Sequence, residues 1–357
     1  MALTIINNQV GVSRQSGIEL LRMLAMFMVL LLHANYIAFG SPSAEEVHNQ
    51  SFLSFGRVLA EQLCIVAVNV YVLISGWFGI KLKLKGLVNL LLQVFTYSAV
   101  IFITYVILQH PELHLRDFKG LLIVGLNYWF VVSYILLYLI SPVLNSFAET
   151  ATKRQFELVL LCFYGFEFLY SWIGWSGGFS GGYSTIAFIG LYLLARYLKL
   201  YGGRLTSKSC GFYLTVYFLM SLAVALWEFI QLRLWGTVWL VSYLSYDCPF
   251  VVIASVLLFL AFTRLDFKNV IINYCATSSL SIYLIHVNPY LWDKYKELIR
   301  EIYGFGGGLL GVASILFALL AFYLFCIAVD KVRIWLTPSD IICSAARAAL
   351  VRMKVLR

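Results

Sequence analysis

Apolar runs of about 20 residues recur from one end of the chain to the other, each long enough to cross a hydrocarbon core of roughly 30 Å. The bilayer offers no partner to a backbone N–H or C=O, so a chain with such runs must form helices or a closed barrel. A barrel would show short segments of alternating polarity instead. Charged residues make up 12% of the 357 residues and hydrophobic ones 62%, against roughly 25% charged in a soluble domain. A soluble globule is excluded. The sequence therefore predicts an all-α, polytopic transmembrane helical bundle of about ten spans, near 18–38, 58–80, 87–108, 120–144, 156–174, 185–200, 211–232, 247–263, 270–288 and 306–329. The sixth is short. The eighth could begin earlier, in TVWLVSYLSYDCP, where Pro249 either kinks one long helix or ends a re-entrant piece.

The net charge of +9 carries no nucleic-acid reading, because the basic residues are scattered in short connections and form no stripe of the kind a phosphate backbone needs. They report topology. With both termini placed in the cytoplasm, the inner connections collect most of the 26 lysines and arginines, as the positive-inside rule requires. Residues 1–330 read as one transmembrane domain, and 331–357 as a basic, partly apolar cytoplasmic tail lying along anionic lipid head groups. Seven cysteines without CxxC spacing, mostly in apolar runs, read as small core hydrophobes rather than metal ligands. The first run is expected to be a retained helix rather than a cleaved signal, since its n-region is poorly basic and further spans follow. The glycine-rich stretch GWSGGFSGGYS, residues 174–184, lacks the GxxxxGK pattern and is expected to be a flexible outer loop.

Within the first span, LLRMLAMFMVLLLHAN holds Arg22 and His33. Eleven residues separate them, about 16.5 Å along a helix, and eleven steps of 100° return to within about 20° of the same direction. Both side chains share a face. A charge at a helix centre costs on the order of 2.5–3.5 kcal/mol on translocon scales, so the pair calls for a function, or for snorkelling of Arg22 and an interhelical hydrogen bond from His33. His286 closes the ninth span at a similar expected depth, as do Glu61, Asn69, Asn127, Trp129, Glu167, Glu228 and Asp247. A histidine is the usual general base near neutrality, and a carboxylate that orients it raises its basicity; spacing does not say which carboxylate. The GxSxG spacing falls only in the glycine-rich stretch, around Ser176 and Ser180, with no strand before it to make a nucleophile elbow, and no HExxH or paired-carboxylate spacing occurs, which argues against serine hydrolases, zinc proteases and glycosidases. The candidates are histidine-centred and no metal is expected.

Arg22, ten residues, then His33 resembles the R-x10-H signature of the acyltransferase-3 family, bacterial integral membrane enzymes that O-acylate sugars of surface polysaccharides. VNVYVLISGWF (68–78) is similar to the family's second-span segment ending in Ser-Gly-aromatic, NYWFVVSYILLYLISPVLN (127–145) to its Trp-Phe span ending in Ser-Pro, and SSLSIYLIHVNPY (278–290) to its late Tyr-Leu-x-His segment. The four occur in the family's order, and the resemblance covers nearly the whole chain. It implies transfer of an acyl group, most often acetyl, from cytoplasmic acyl-CoA to a hydroxyl of a glycan or lipid-linked sugar, in the bacterial cytoplasmic (inner) membrane. On that reading His33 is the base or a transient acyl carrier, Arg22 a donor-binding or structural cation, His286 a second polar site, and Trp129 and Ser75 shape the path. Relatives carry arginines after the second-span segment for the phosphates of the donor. Here the stretch reads IKLKLKG, so Lys81, Lys83 and Lys85 are the candidate donor contacts, as point charges without a bidentate fork. A transporter of a glycan or small anion, or a scaffold that lost donor binding, are the rival readings.

Overall fold

Residues 14–112, 114, 118, 127–174, 178–238 and 243–336 are described in a computed structural model. Their regular structure is helical, with no strand among the described residues. The first helix, α1 (Ser16–Leu32), continues into a π-helical turn over His33–Ile37, and is followed by α2 (Ala44–Asn49), α3 (Ser51–Cys64) and α4 (Ala67–Phe78). Then come α5 (Leu84–Gln109), α6 (Trp129–Thr150), α7 (Lys153–Phe166, with a second π turn over Glu167–Ile173), α8 (Thr185–Tyr201) and α9 (Cys210–Trp235). The described residues end with α10 (Pro249–Thr263), α11 (Val270–Ala276), α12 (Ser279–His286), α13 (Trp292–Gly304) and α14 (Gly308–Leu336).

Among the described residues, seven stretches are long and apolar enough to cross a membrane: Ser16–Ile37, Ser51–Phe78, Leu84–Gln109, Trp129–Thr150, Lys153–Ile173, Cys210–Trp235 and Gly308–Leu336. Three expected spans are shorter. The 185–200 window is the 17-residue α8, the 247–263 window the 15-residue α10, and the 270–288 window breaks at Thr277–Ser278 into α11 and α12. Pro249 neither kinks a long helix nor ends one; it occupies the first turn of α10, where its missing N–H is no loss. The 120–144 window opens outside the described residues. At the other end of the chain, α14 runs past the expected domain boundary at 330 to Leu336, and the rest of the basic tail lies outside the described residues.

The bundle is built around α1 and α4. The Ser16–Ile37 stretch that holds α1 is 61% buried and the Ser51–Phe78 stretch that holds α3 and α4 is 72% buried, against 22–28% for the other five long stretches, which fits apolar helices facing lipid at the periphery. Two short motifs explain the tight joints. At Gly76 an added Cβ would stand 2.5 Å from the Tyr192 carbonyl oxygen and 2.9 Å from Ala195 Cβ, so α4 and α8 meet backbone to backbone only because glycine is there. On α6, Pro142 cannot donate to the carbonyl of Tyr138, and the Ser141 hydroxyl donates to that oxygen at 2.7 Å instead. The Ser-Pro pair thus satisfies within itself a group that lipid would leave bare.

Candidate functional site

A cavity of about 940 Å³ runs along α1 and is also walled by α4, α6, α11, α12 and the segment around Trp292. Helix α1 lines it with Ile18, Arg22, Met26, Val29 and His33, steps of four, four, three and four residues that hold one face of a 3.6-residue helix. The shared face expected for Arg22 and His33 is the wall of this cavity. Three tyrosines from other elements fix that wall by donating to carbonyls of α1: Tyr71 to Arg22 at 2.6 Å, Tyr323 to Met23 at 3.1 Å and Tyr295 to Leu30 at 2.9 Å.

The Arg22 end is ionic. Glu19 Oε2 lies 3.6 Å from both Arg14 Nη1 and Arg22 Nε, with the Glu19 side chain 9% and that of Arg22 32% exposed. Among the described residues neither Arg22 Nε nor Glu19 Oε2, both buried, has a partner at hydrogen-bond distance; the exposed part of the Arg22 side chain borders the cavity, where a guanidinium can meet an anion. Gln15, Thr277 and Ser279 add polar atoms at this end.

At the other end, His33 Nδ1 lies 2.8 Å from His286 Nε2, and His286 Nδ1 lies 2.7 Å from the carbonyl oxygen of Ile282. A carbonyl can only accept, so His286 carries its proton on Nδ1. In the neutral ring its Nε2 is then bare and accepts from His33 Nδ1–H. The remaining lone pair of His33 is on Nε2. His33 borders the cavity while the 1% exposed His286 stands behind it. Trp292 packs edge-on against the His33 ring at 5.0 Å. The π turn that starts at His33 is clasped to α3 through Asn35, whose Nδ2 donates to Arg57 O and Glu61 Oε2, both at 2.8 Å, while Arg57 Nε donates to Asn35 Oδ1 at 3.1 Å.

Among the described residues no carboxylate is hydrogen-bonded to His33; a second histidine is. Glu61 accepts from Asn35, Glu228 from Gln62 at 2.6 Å, and Asp247 from Ser171. These three and Glu167 are buried, but none borders the cavity. Similar depth along the bundle does not bring side chains to the same azimuth. Ser75 and Trp129 do line the cavity, with Ser75 Oγ 3.2 Å from the Tyr134 hydroxyl. Lys81, Lys83 and Lys85 do not line it; Lys81 and Lys83 precede α5 and Lys85 lies in its first turn, and the Lys83 N–H ties this approach to α6 by donating to the Tyr138 hydroxyl at 3.0 Å. The Gly-rich stretch is more ordered than expected. Phe179 is buried, Tyr246 N–H donates to Gly181 O at 3.0 Å, and Tyr183 lines the cavity; residues 175–177 lie outside the described residues.

Sequence reasoning passed over Arg14, Glu19, Tyr71 and Trp292. For Glu19 a signal existed, since acid and arginine at i, i+3 on one helix face are neighbours. Arg14 read only as an inner-side charge, and nothing in the sequence places Trp292 beside His33.

Comparison with curated proteins and with solved structures returns no match. The profile of the acyltransferase-3 family, described as an acyltransferase domain, matches residues 15–331, a range that holds Arg22, His33 and His286. The chain belongs to the acyltransferase-3 family.

Proposed function

We propose that this membrane acyltransferase moves an acyl group, in the simplest case acetyl, from cytoplasmic acyl-CoA to a hydroxyl of a glycan or lipid-linked sugar at the outer side of a bacterial inner membrane. The observation that carries the reading is one continuous cavity with arginines at one end and a hydrogen-bonded histidine pair at the other. With the N-terminus in the cytoplasm, as the distribution of lysine and arginine favours, the Arg14–Arg22 end takes the anionic donor. His33 then stands about three turns farther out.

In the reaction, the acceptor hydroxyl gives its proton to His33 Nε2 as its oxygen attacks the thioester carbonyl. The carbon–sulfur bond breaks, and the departing thiolate takes the proton from the imidazolium. His286 holds the His33 ring in the tautomer that leaves Nε2 bare. Its own Nε2 accepts the Nδ1–H bond that strengthens when His33 becomes cationic. Arg22 and Arg14 supply charge to the donor's phosphates; the three lysines after α4, with no wall in the cavity, are at most peripheral to it.

The test is mass spectrometry of surface glycans from native-host cells carrying wild type or His33→Ala at matched membrane abundance, alongside membranes given labelled acetyl-CoA. The expected result is an acyl mass increment with wild type that is lost in the variant. Unchanged glycans in both, with no label transferred, would sink the reading; full acylation by the variant would remove His33 from its role.

A further inference from the structure

The cavity has two chemically different ends, and the end around His33 is aromatic. Trp129, Tyr183 and Tyr246 form one cluster on its wall, with ring centroids 4.5 Å apart for Trp129–Tyr183, 4.7 Å for Tyr183–Tyr246 and 6.0 Å for Trp129–Tyr246. They come from three separate places: the start of α6, the turn before α8 and the turn before α10. Each is fixed at the backbone. Tyr128, next to Trp129, donates its hydroxyl to Leu284 O at 3.1 Å and accepts from Asn288 Nδ2 at 2.8 Å, partners that bracket His286. Trp129 is thereby set at the level of the histidine pair. Tyr246 donates its N–H to Gly181 O, while its own carbonyl accepts from Asn69 Nδ2 at 2.8 Å. At Gly182 (φ +87°) a Cβ would stand 2.5 Å from Tyr246 Cβ, so glycine alone lets the turn carrying Tyr183 sit on Tyr246.

A rigid aromatic wall with a few polar groups, here Asn127 and His33, is the lining of a site that holds an amphipathic ring. We infer that Trp129, Tyr183 and Tyr246 form the acceptor subsite, and that its occupant is one pyranose ring, its C–H face against the aromatic wall and a hydroxyl turned to His33. This rests on the reading of the cavity as a transferase site. It adds that selection of the acceptor lies in the aromatic wall, apart from the base.

The test separates the two. Purified protein in a detergent without sugar is probed by saturation-transfer NMR with the methyl pyranosides of glucose, galactose, mannose, rhamnose and N-acetylglucosamine, with glycerol as control. At least one pyranoside should receive saturation on its ring C–H protons and glycerol none. That signal should persist in His33→Ala, which removes the base, fall at least tenfold in Trp129→Ala combined with Tyr183→Ala, and return in part with Trp129→Phe. No signal from any pyranoside with wild type, or an unchanged signal in the double variant, overturns the subsite. Pyranoside binding without any transfer from labelled acetyl-CoA would instead leave the subsite standing and remove the transferase reading.

Discussion

His33 Nδ1 and His286 Nε2 are 2.8 Å apart although 253 residues separate them in the chain. A positioned general base is worth roughly 10² to 10⁴ in rate. His33→Ala should therefore lower kcat by that order, while His286→Ala should lower kcat by a smaller factor with little change in the acceptor KM, because it removes the partner rather than the base. Steady-state transfer from labelled acetyl-CoA checks both, and a His286 variant with wild-type kcat would refute the positioning role.

The same pair sets the sign of a pH dependence. The proposed transfer requires His33 with a bare Nε2 and His286 with a bare Nε2. A second proton on His33 takes up the lone pair the acceptor hydroxyl needs, and one on His286 turns the acceptor of the contact into a donor and opposes it. Activity should fall as pH is lowered, and the acid limb of the kcat profile should change shape in His286→Ala. An identical acid limb in the two proteins would count against the pairing.

Arg22 should matter to the donor and not the acceptor. Hydrogen bonds to charged groups contribute about 1.5–3 kcal/mol, so Arg22→Ala should raise the KM for acetyl-CoA by about 10- to 100-fold. Arg22→Lys should recover only part, lacking the fork. Replacing Lys81, Lys83 and Lys85 together by Gln should raise it less than Arg22→Ala alone, since none of the three borders the cavity. The opposite ranking would move the donor to the lysines.

Asn35 holds the π turn with three hydrogen bonds to Arg57 and Glu61. Asn35→Ala strands buried polar atoms at a cost of about 1–3 kcal/mol and loosens the turn that begins at His33. The expected signature is a lower kcat with an unchanged donor KM, together with a lower melting temperature in detergent. A change in donor KM alone would show that the clasp serves the other end.

Gly76→Ala should destabilise the α4–α8 joint by about 1–3 kcal/mol through overpacking, since the new Cβ meets the Tyr192 carbonyl oxygen at 2.5 Å. Gly211→Ala, where nothing lies within 4 Å, is the control. Equal thermal melting of the two variants in detergent would contradict the contact.

What the sequence disclosed follows from what periodicity measures. Arg22 and His33 were legible as one face because both sit on a single unbroken helix, and the helical bundle was legible because apolarity is a local property. The meeting of His33 with His286 was not, because it depends on how α12 packs against α1. The expectation of a carboxylate partner failed for the same reason: Glu61, Glu167, Glu228 and Asp247 have the right depth but face other neighbours. The windows at α8 and α10 looked like ordinary spans because hydropathy records that a helix is apolar all round, which is equally true of a short helix buried among others. The turn carrying Tyr183 read as flexible because its glycines were taken as freedom, whereas Gly182 is there to admit Tyr246.

Because Arg22 and His33 lie on one helix with regular geometry between them, their separation cannot adapt to the ligand. Helix α1 acts as a ruler of about 16.5 Å, pinned along its length by Tyr71, Tyr323 and Tyr295. On the roles proposed for Arg22 and His33, the donor must carry its anionic group and its reactive carbonyl about that far apart, on an arm slender enough to pass Met26 and Val29. Small activated acyl compounds, such as an acyl phosphate, fall short of the gauge: they can occupy one mark on it but never both.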